Sequence, residues 1–203
     1  ENTAVGVNAL DDNVSGFHNT AVGYASLSAN TSNYNSAFGY KALEDNTSGE
    51  RNTALGRTAL EVNTTGDHNV GVGMAALEVN TTGGNNTAVG YAALVANTTA
   101  SNNTSVGYQS SLANTTGSDN VAVGLAAMEV NTTGSDNTAL GRSALAANTT
   151  ASNNIAIGRN ALLANTTGYD NVAVGRNSLD ANIGGHSNTA LGESSLTSNT
   201  EGD

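Results

Sequence analysis

Apolar and small residues recur along the whole chain in a short phrase that closes with a glycine, as in Asn-Thr-Ala-Val-Gly at 86–90. Successive closing glycines are 17 residues apart, except for one interval of 16 residues between Gly23 and Gly39. The full set is Gly6, Gly23, Gly39, Gly56, Gly73, Gly90, Gly107, Gly124, Gly141, Gly158, Gly175 and Gly192. A repeat of this length is too short for a helix pair but holds two short strands and two turns. The spacing predicts an all-β parallel β-solenoid, or β-roll, of about twelve 17-residue coils with two strands per coil.

The hydrophobic positions within the repeat predict which side chains face inward. We number each repeat from its first asparagine, so that residues 86–102 supply positions 1 to 17. Position 4 is Val, Leu, Ile or Phe, and position 2 is Thr, Val, Ile or Ser, which predicts a strand with both positions on its buried face. Position 9 is Leu or Met in eleven coils and is expected to anchor the second strand. The seventh coil has Ser111 there, followed by Leu112, which predicts a local slip or bulge.

Small residues and glycines indicate how each coil closes. Positions 3 and 8 hold only Ala, Ser or Gly. Either the coil is too thin for more than one large side chain per strand, or these residues form a smooth strip against which neighbouring chains pack. Glycine at position 5, and usually at position 15, is expected to supply positive φ where the chain reverses. The residue missing between Asn30 and Asn35 should shorten one turn without shifting either strand.

Positions 1 and 12 are asparagine in all twelve coils. Asparagine stabilises turns, and in stacked coils its amide can bond the asparagine of the next coil. The second column also creates the glycosylation pattern Asn-x-Ser/Thr in ten coils. These candidate sites are Asn13, Asn30, Asn46, Asn63, Asn80, Asn97, Asn114, Asn131, Asn148 and Asn165. Either this turn is exposed and carries sugars, or asparagine and threonine are the residues that the turn itself requires.

The composition excludes several classes of protein. Aromatic residues make up 4% of the chain and there is no Cys, Pro or Trp, so small aliphatic side chains must form a thin core. The net charge of −11 argues against nucleic-acid binding, which needs clustered Lys and Arg. No apolar run approaches the ~20 residues of a membrane helix, so membrane insertion is not expected. Neither end carries an atypical capping repeat, so we expect one continuous array over residues 1–203, as part of a longer fibre.

Position 6 forms a stripe of large side chains that we call the contact stripe. Its members are Tyr24, Tyr40, Tyr91, Tyr108, Arg142, Arg159 and Arg176. An aromatic stripe that becomes basic is suited to contact with sugars or with a neighbouring chain. The alternative is that these amphipathic side chains only cover the strand edge.

Catalysis needs unlike groups that converge in a pocket, whereas stacked repeats present the same groups in rows. We therefore expect no enzyme activity, no catalytic residue and no organic cofactor. His18, His68 and His186 are expected in exposed turns, and the first two lie three coils apart, too far to share a metal ion.

Calcium is the one cofactor that the composition leaves open. Carboxylates near turns, together with asparagine carbonyls, could bind a hard cation. These carboxylates are Asp67, Asp119, Asp136 and Asp170. The acidic positions are not periodic, so solvated turn residues are the favoured interpretation.

The phrases Asn-Thr-Ala-Val-Gly-Tyr at 86–91 and Asn-Thr-Ala-Leu-Gly-Arg at 137–142 resemble the tandem repeats of bacterial and phage tail-fibre proteins. They are also similar to the Asn-Ser-Val-Ala-Ile-Gly motif of the YadA-like heads of trimeric autotransporter adhesins, although the repeat here is longer. The resemblance covers the whole chain. It implies an extracellular, homotrimeric, parallel β-roll that holds a binding tip away from a surface.

The leading expectation is therefore a structural component of an extracellular fibre on a cell or virion surface. Such a segment would give rigid extension and surface attachment, and would self-associate as a homotrimer or an end-to-end filament. The alternative is an adhesin module that binds cell-surface glycans through the contact stripe. An ice-binding solenoid that uses the threonines of positions 13 and 14 is less favoured, because a glycine turn and charged residues interrupt that array.

Overall fold

The computed structural model describes residues 1–202, which form a parallel β-solenoid of about twelve coils with no α-helix among them. Each coil contributes one strand of three residues, at positions 2 to 4 of the repeat. The strands are β1 (Thr3–Val5), β2 (Thr20–Val22), β3 (Ser36–Phe38), β4 (Thr53–Leu55), β5 (Val70–Val72), β6 (Thr87–Val89), β7 (Thr104–Val106), β8 (Val121–Val123), β9 (Thr138–Leu140), β10 (Ile155–Ile157), β11 (Val172–Val174) and β12 (Thr189–Leu191). The predicted fold class is confirmed, but the prediction of a second strand in each coil is wrong, because positions 6 to 11 form turns instead.

The chain divides into two compact units, Glu1–Asn102 and Asn103–Asp203. The first contains β1 to β6 and the second contains β7 to β12. Within each unit, neighbouring strands pair in parallel with equal repeat positions opposite each other, as Ala156 pairs with Ala173. Each repeat position therefore forms a column along its unit.

The one short repeat leaves the strand register intact, as predicted. Thr20 still pairs with Ser36. The residue is lost from the turn, where Ser32 takes the place of the glycine at position 15. Its carbonyl oxygen accepts hydrogen bonds from Asn19 Nδ2 at 2.7 Å and from Asn30 Nδ2 at 3.0 Å.

The buried face of the strand is the opposite of the predicted one. Position 3 is buried in β2 to β12, whereas positions 2 and 4 point outward. Within β4, for example, Ala54 is fully buried while Leu55 is 49% exposed. The interior lies between position 3 and the residues at positions 8 and 9 of the opposite turn, and it leaves room for only a methyl group at position 3. The explanation that a thin coil requires small residues is thus confirmed. The prediction that these residues form an outer strip for packing against neighbouring chains is wrong.

Position 9 faces inward as predicted, but it does so from a turn. Leu145 is fully buried and its backbone has φ 51. Its N–H donates to the carbonyl of Ala161 in the next coil at 3.0 Å. A left-handed conformation costs a leucine roughly 1–2 kcal/mol, and full burial of its side chain contributes roughly 1.5–3 kcal/mol. Burial therefore offsets the strain that the turn imposes.

The two glycine positions have different causes. At position 5 every glycine has positive φ, and at Gly158 (φ 130) an added Cβ would lie 2.5 Å from the carbonyl oxygen of Gly175. At position 15 the predicted positive φ is wrong. The reason for glycine there is close approach, since a Cβ on Gly168 would lie 2.3 Å from Gly185 O. Alanine nevertheless occupies this column at Ala100 and Ala151.

The slip predicted for the seventh coil is also wrong. Ser111 keeps φ 50 and its N–H donates to Ala127 O at 2.9 Å, as in the neighbouring coils. Its hydroxyl accepts a hydrogen bond from Ser105 Oγ at 2.8 Å. The hydroxyl of Ser110 donates to Ala122 O at 2.9 Å. Paired hydroxyls therefore replace the apolar interior without displacing the backbone.

Candidate functional site

The asparagines of position 12 form internal ladders, as the sequence predicts. Asn63 Nδ2 donates to Asn46 Oδ1 of the preceding coil at 2.8 Å and to Gly66 O of its own turn at 3.0 Å. Asn80 Nδ2 in turn donates to Asn63 Oδ1 at 2.7 Å. Each amide thus connects its own turn to both neighbouring coils.

The asparagines of position 1 bond the same turn from its other side. Asn52 Nδ2 donates to Gly66 O at 2.8 Å, so this carbonyl accepts a hydrogen bond from each of the two asparagines in its coil. The Oδ1 atom of Asn52 accepts a hydrogen bond from the backbone N–H of Asn69 in the next coil at 2.8 Å. The two columns therefore hold the corner between them and satisfy its buried polar groups.

The candidate glycosylation sites lie inside the coil, contrary to the expectation of an exposed asparagine. Nine of the ten side chains are buried, and Asn13 is half-buried. At Asn63 both N–H groups of the amide already donate, to Asn46 Oδ1 and to Gly66 O. The folded coil thus offers no free amide nitrogen to a glycosylating enzyme at Asn63, which favours the interpretation that the turn itself requires asparagine.

The contact stripe is exposed at all seven predicted residues. In the first unit Tyr24 and Tyr40 stack with ring centroids 5.4 Å apart and an interplanar angle of 12°. Arg57 lies over the Tyr40 ring at 6.0 Å. In the second unit Arg176 Nε lies 3.3 Å from Glu193 Oε1. The stripe therefore changes from aromatic to cationic within the second unit, between Tyr108 and Arg142.

Lys41 forms the densest group of ion pairs in the described chain. Its Nζ lies 2.8 Å from Glu44 Oε2 and 3.4 Å from Glu61 Oε1, which belongs to the next coil. The hydrogen bond to Glu44 raises the pKa of Lys41 above its ordinary value. Burial raises the pKa of Glu61 despite the nearby ammonium group.

The remaining titratable candidates are dispersed over the turns. His18 stacks on Tyr34 at 5.2 Å, and His186 stacks on Tyr169 at 4.7 Å. His68 is exposed, as are the carboxylates proposed for calcium, Asp67, Asp119, Asp136 and Asp170. Residues 1–202 contain no group of three or more His, Asp or Glu side chains placed to hold a metal ion.

The apolar strand side chains of position 4, with the Thr, Ser, Val and Ile side chains of position 2 beside them, form a surface that we call the outer apolar face. Its position-4 members in the first unit are Val5, Val22, Phe38, Leu55, Val72 and Val89, and in the second Val106, Val123, Leu140, Ile157, Val174 and Leu191. All of them are half-buried or exposed. The sequence analysis missed this surface because it assigned these side chains to the core.

Comparisons with known proteins identify no relative, so the fold alone defines the class of this protein. The described residues enclose no pocket, and none of them builds a helix of the length and apolarity needed to cross a membrane. No family model, no curated protein and no solved structure matches the chain. The chain is an all-β parallel solenoid of tandem repeats with internal asparagine ladders.

Proposed function

We propose that the protein is a non-enzymatic structural segment of an extracellular fibre, on a cell or virion surface, which self-associates through the outer apolar face. The observation that carries this proposal is the apolar side chain that position 4 presents outward in every coil. Monomeric proteins rarely expose large contiguous apolar surfaces, and such surfaces usually contact another protein or a membrane.

The interior of each unit supplies the stiffness that a fibre needs. Backbone hydrogen bonds connect successive coils at the strand and at the turns, as from Val172 N to Asn188 O at 2.8 Å and from Leu162 N to Ser178 O at 3.0 Å. The asparagine ladders add side-chain hydrogen bonds inside. A coil can thus bend only by breaking several bonds at once.

A second copy of the chain is the partner that best fits the outer apolar face. The columns repeat at the coil spacing of roughly 4.8 Å, and only a surface with the same spacing can match them rung for rung. Leu55 is 49% exposed, so its burial would contribute on the order of 1 kcal/mol. Six such rungs per unit contribute several kcal/mol, which supports association.

Analytical ultracentrifugation tests the proposal. We expect the wild-type chain to form oligomers, and Leu55→Glu together with Ile157→Glu to shift it towards monomer. The matched control is Thr65→Glu with Thr167→Glu, which adds the same charges at exposed turn residues. A wild-type chain that remains monomeric at tens of micromolar concentration would contradict self-association.

Glycan binding by the contact stripe is the second candidate, and the exposed stacked pair Tyr24 and Tyr40 favours it. Exposed aromatic rings are suited to sugar contacts. Screening of immobilised cell-surface glycans, with Tyr24→Ala/Tyr40→Ala as the comparison, tests this function. Binding that the double variant retains would exclude the tyrosine pair as the site.

The ice-binding alternative loses support from the threonine geometry. The hydroxyl of Thr64 donates to Thr81 O of the next coil at 3.0 Å, and the hydroxyls of Thr81 and Thr132 donate to the next coil in the same way. These hydroxyl protons are therefore not available to a flat water layer.

A further inference from the structure

The outer apolar face of the second unit is bordered by two oppositely charged columns. Where the chain enters the strands, position 17 holds Asp119, Asp136, Asn153 and Asp170. Where it leaves them, position 6 holds arginine in three successive coils, at Arg142, Arg159 and Arg176. The same column holds Tyr108 and Leu125 before them and Glu193 after them. All of these side chains are exposed. Because the coils are in register, the two columns run along opposite sides of the same face.

The opposite charges are matched strand by strand. Asp136 precedes β9 and Arg142 follows it. Asp170 and Arg176 flank β11 in the same way. Between them, β10 has the neutral but polar Asn153 on its acidic side and Arg159 on the other. The second unit contains no other arginine and no lysine.

Backbone conformation accounts for only one of the two columns. Asp136 has φ 57 and Asp170 has φ 56, a left-handed conformation that Asp and Asn adopt more readily than most residues. No such preference explains arginine at position 6. Like charges on adjacent rungs, roughly 4.8 Å apart, repel each other.

Ion pairing within the chain relieves this repulsion only in part. Arg176 lies 3.3 Å from Glu193, but both side chains are largely exposed. Neither Arg142 nor Arg159 forms an ion pair with any residue of the described chain. Two guanidinium groups and the carboxylates of Asp136 and Asp170 thus remain open to an external partner.

We propose that these columns set the direction and register of the self-association proposed above, on which this inference rests. A second copy faces the first with its repeats following one another in the same direction along the columns. Equivalent strands of the two copies lie at the same level. Rotation about an axis parallel to the columns places the acidic side of one face against the basic side of the other. Asp136 then opposes Arg142 of the second copy, and Asp170 opposes its Arg176.

The reversed arrangement is electrostatically unfavourable. Rotation about an axis perpendicular to the columns brings acidic column against acidic column and arginine column against arginine column. Asp136 would then oppose Asp170 of the second copy, and Arg142 would oppose its Arg176. Opposed like charges suppress an association mode, so the pattern selects the parallel one.

An anionic polysaccharide on the arginine column is the competing partner. The acidic column runs along the other side of the same face, and the whole chain carries −11, so the surroundings repel a polyanion. A second copy instead uses both columns at once and shares their spacing. The observations therefore favour a second copy.

Disulfide trapping tests the direction, because the chain contains no native cysteine. We expect Asp136→Cys/Arg142→Cys to form an intermolecular disulfide on mild oxidation, and Asp136→Cys/Asp170→Cys to form little. Residues 136 and 170 lie two coils apart, roughly 9–10 Å, which exceeds the Cα separation that a disulfide allows within one chain. Non-reducing gel electrophoresis of the oxidised oligomer reads out both variants.

Charge variants test the cause. Asp136→Lys/Asp170→Lys places ammonium groups opposite Arg142 and Arg176 of the second copy and should weaken association at low salt by about tenfold or more. The control Asp136→Arg/Asp170→Arg/Arg142→Asp/Arg176→Asp exchanges the columns at unchanged net charge and should associate like the wild type. Added salt should reduce the difference in association strength between these variants, because it screens the charges.

Each outcome bears on a different proposal. A monomeric wild type removes the proposed self-association and this inference with it. Oligomers that are trapped through Asp136→Cys/Asp170→Cys, or that tolerate Asp136→Lys/Asp170→Lys, overturn this inference and leave self-association standing. Wild-type oligomers that still bind polygalacturonate through Arg142 and Arg159 show an open arginine column and also overturn it.

Discussion

The seventh coil, residues 103–119, and the tenth coil, residues 154–170, share one backbone but differ in what fills them. In the tenth coil Ala156 and Leu162 form a fully buried apolar interior. In the seventh coil Ser105 and Ser111 take the same positions and hydrogen-bond to each other at 2.8 Å. At position 9 the backbone φ is 51 at Leu162 of the tenth coil and 50 at Ser111 of the seventh.

This difference separates what determines the coil from what stabilises it. The backbone N–H at position 9 donates to the next coil at 3.0 Å from Leu162 and at 2.9 Å from Ser111. The position-12 asparagine donates to its own turn in both coils, at 2.8 Å from Asn165 and at 2.9 Å from Asn114. Hydrogen bonding therefore determines the shape of the coil, and the leucine adds burial energy.

The largest effect is expected from a change to the backbone that both coils share. Gly158→Ala places a Cβ 2.5 Å from Gly175 O at φ 130, so strain and overpacking together should cost about 4 kcal/mol. Urea unfolding followed by circular dichroism measures the loss. The control is Gly168→Ala, whose column already holds alanine in two coils and which should cost much less. Equal losses in the two variants would show that positive φ is not the decisive factor.

Breaking the asparagine ladder is expected to have the next largest effect. Asn165→Ala removes the hydrogen bond to Gly168 O and leaves Asn148 Oδ1 and one N–H of Asn182 unpaired, at a cost of about 3 kcal/mol. Hydrogen exchange should report faster opening of the neighbouring strands. Thr167→Ala, an exposed change in the same turn, should leave exchange unchanged. A stable Asn165→Ala variant would mean that the ladder does not determine the coil.

Exchanging the interiors sharpens the comparison directly. Ala156→Ser/Leu162→Ser converts the tenth coil to the seventh and should cost about 2–3 kcal/mol while the coil is retained. The reverse change, Ser105→Ala/Ser111→Leu, should stabilise the seventh coil by about 1–2 kcal/mol. Thermal unfolding measures both. Loss of the β-sheet spectrum in the first variant would show that the leucine is needed for the coil shape.

The smallest effect is expected at the surface, where Lys41 pairs with Glu44 and Glu61. The pKa of Lys41 is raised in the folded chain, so its contribution to stability is full below its ordinary pKa of 10.5 and is lost only as the pH rises through the raised pKa of the folded state. Lys41→Gln should lower the melting temperature slightly at pH 7, and this difference should shrink as the pH rises above 10.5 towards the raised pKa of Lys41. A difference that persists at high pH would assign the effect to packing rather than charge.

The repeat spacing predicts the coil and its columns, but hydrophobicity alone cannot assign the inner face. Position 4 carries the larger apolar side chain, so hydrophobicity assigns it to the core. The side chain of Leu55 at this position is nevertheless exposed. The decisive quantity is the width of the coil, which leaves room for only a methyl group at position 3. The better signal is the paired change in the seventh coil, where Ser105 and Ser111 replace Ala and Leu together.

The candidate sites were likewise predictable only in part from the sequence. Exposure of the contact stripe was predictable because Tyr24 and Arg142 are large and polar at one end. Burial of the asparagines was not, since a motif such as Asn63-Thr64-Thr65 has the same appearance in an exposed turn. Left-handed φ at Leu162 was also beyond sequence reasoning, because leucine is one of the residues least expected there.

The position-12 ladders have a direction that bears on how the chain is made. The amides of Asn165 and Asn182 donate backwards, so an Oδ1 atom such as that of Asn148 accepts its ladder hydrogen bond only when the following coil is in place. In the last described coil, Asn199 Oδ1 instead accepts a hydrogen bond from the N–H of Gly202 in its own turn at 3.0 Å. Ribosomes and export machinery deliver proteins gradually, often amino end first. Each finished coil then acts as a template on which the asparagine of the next coil forms its ladder hydrogen bond, and the solenoid can elongate vectorially, one repeat at a time.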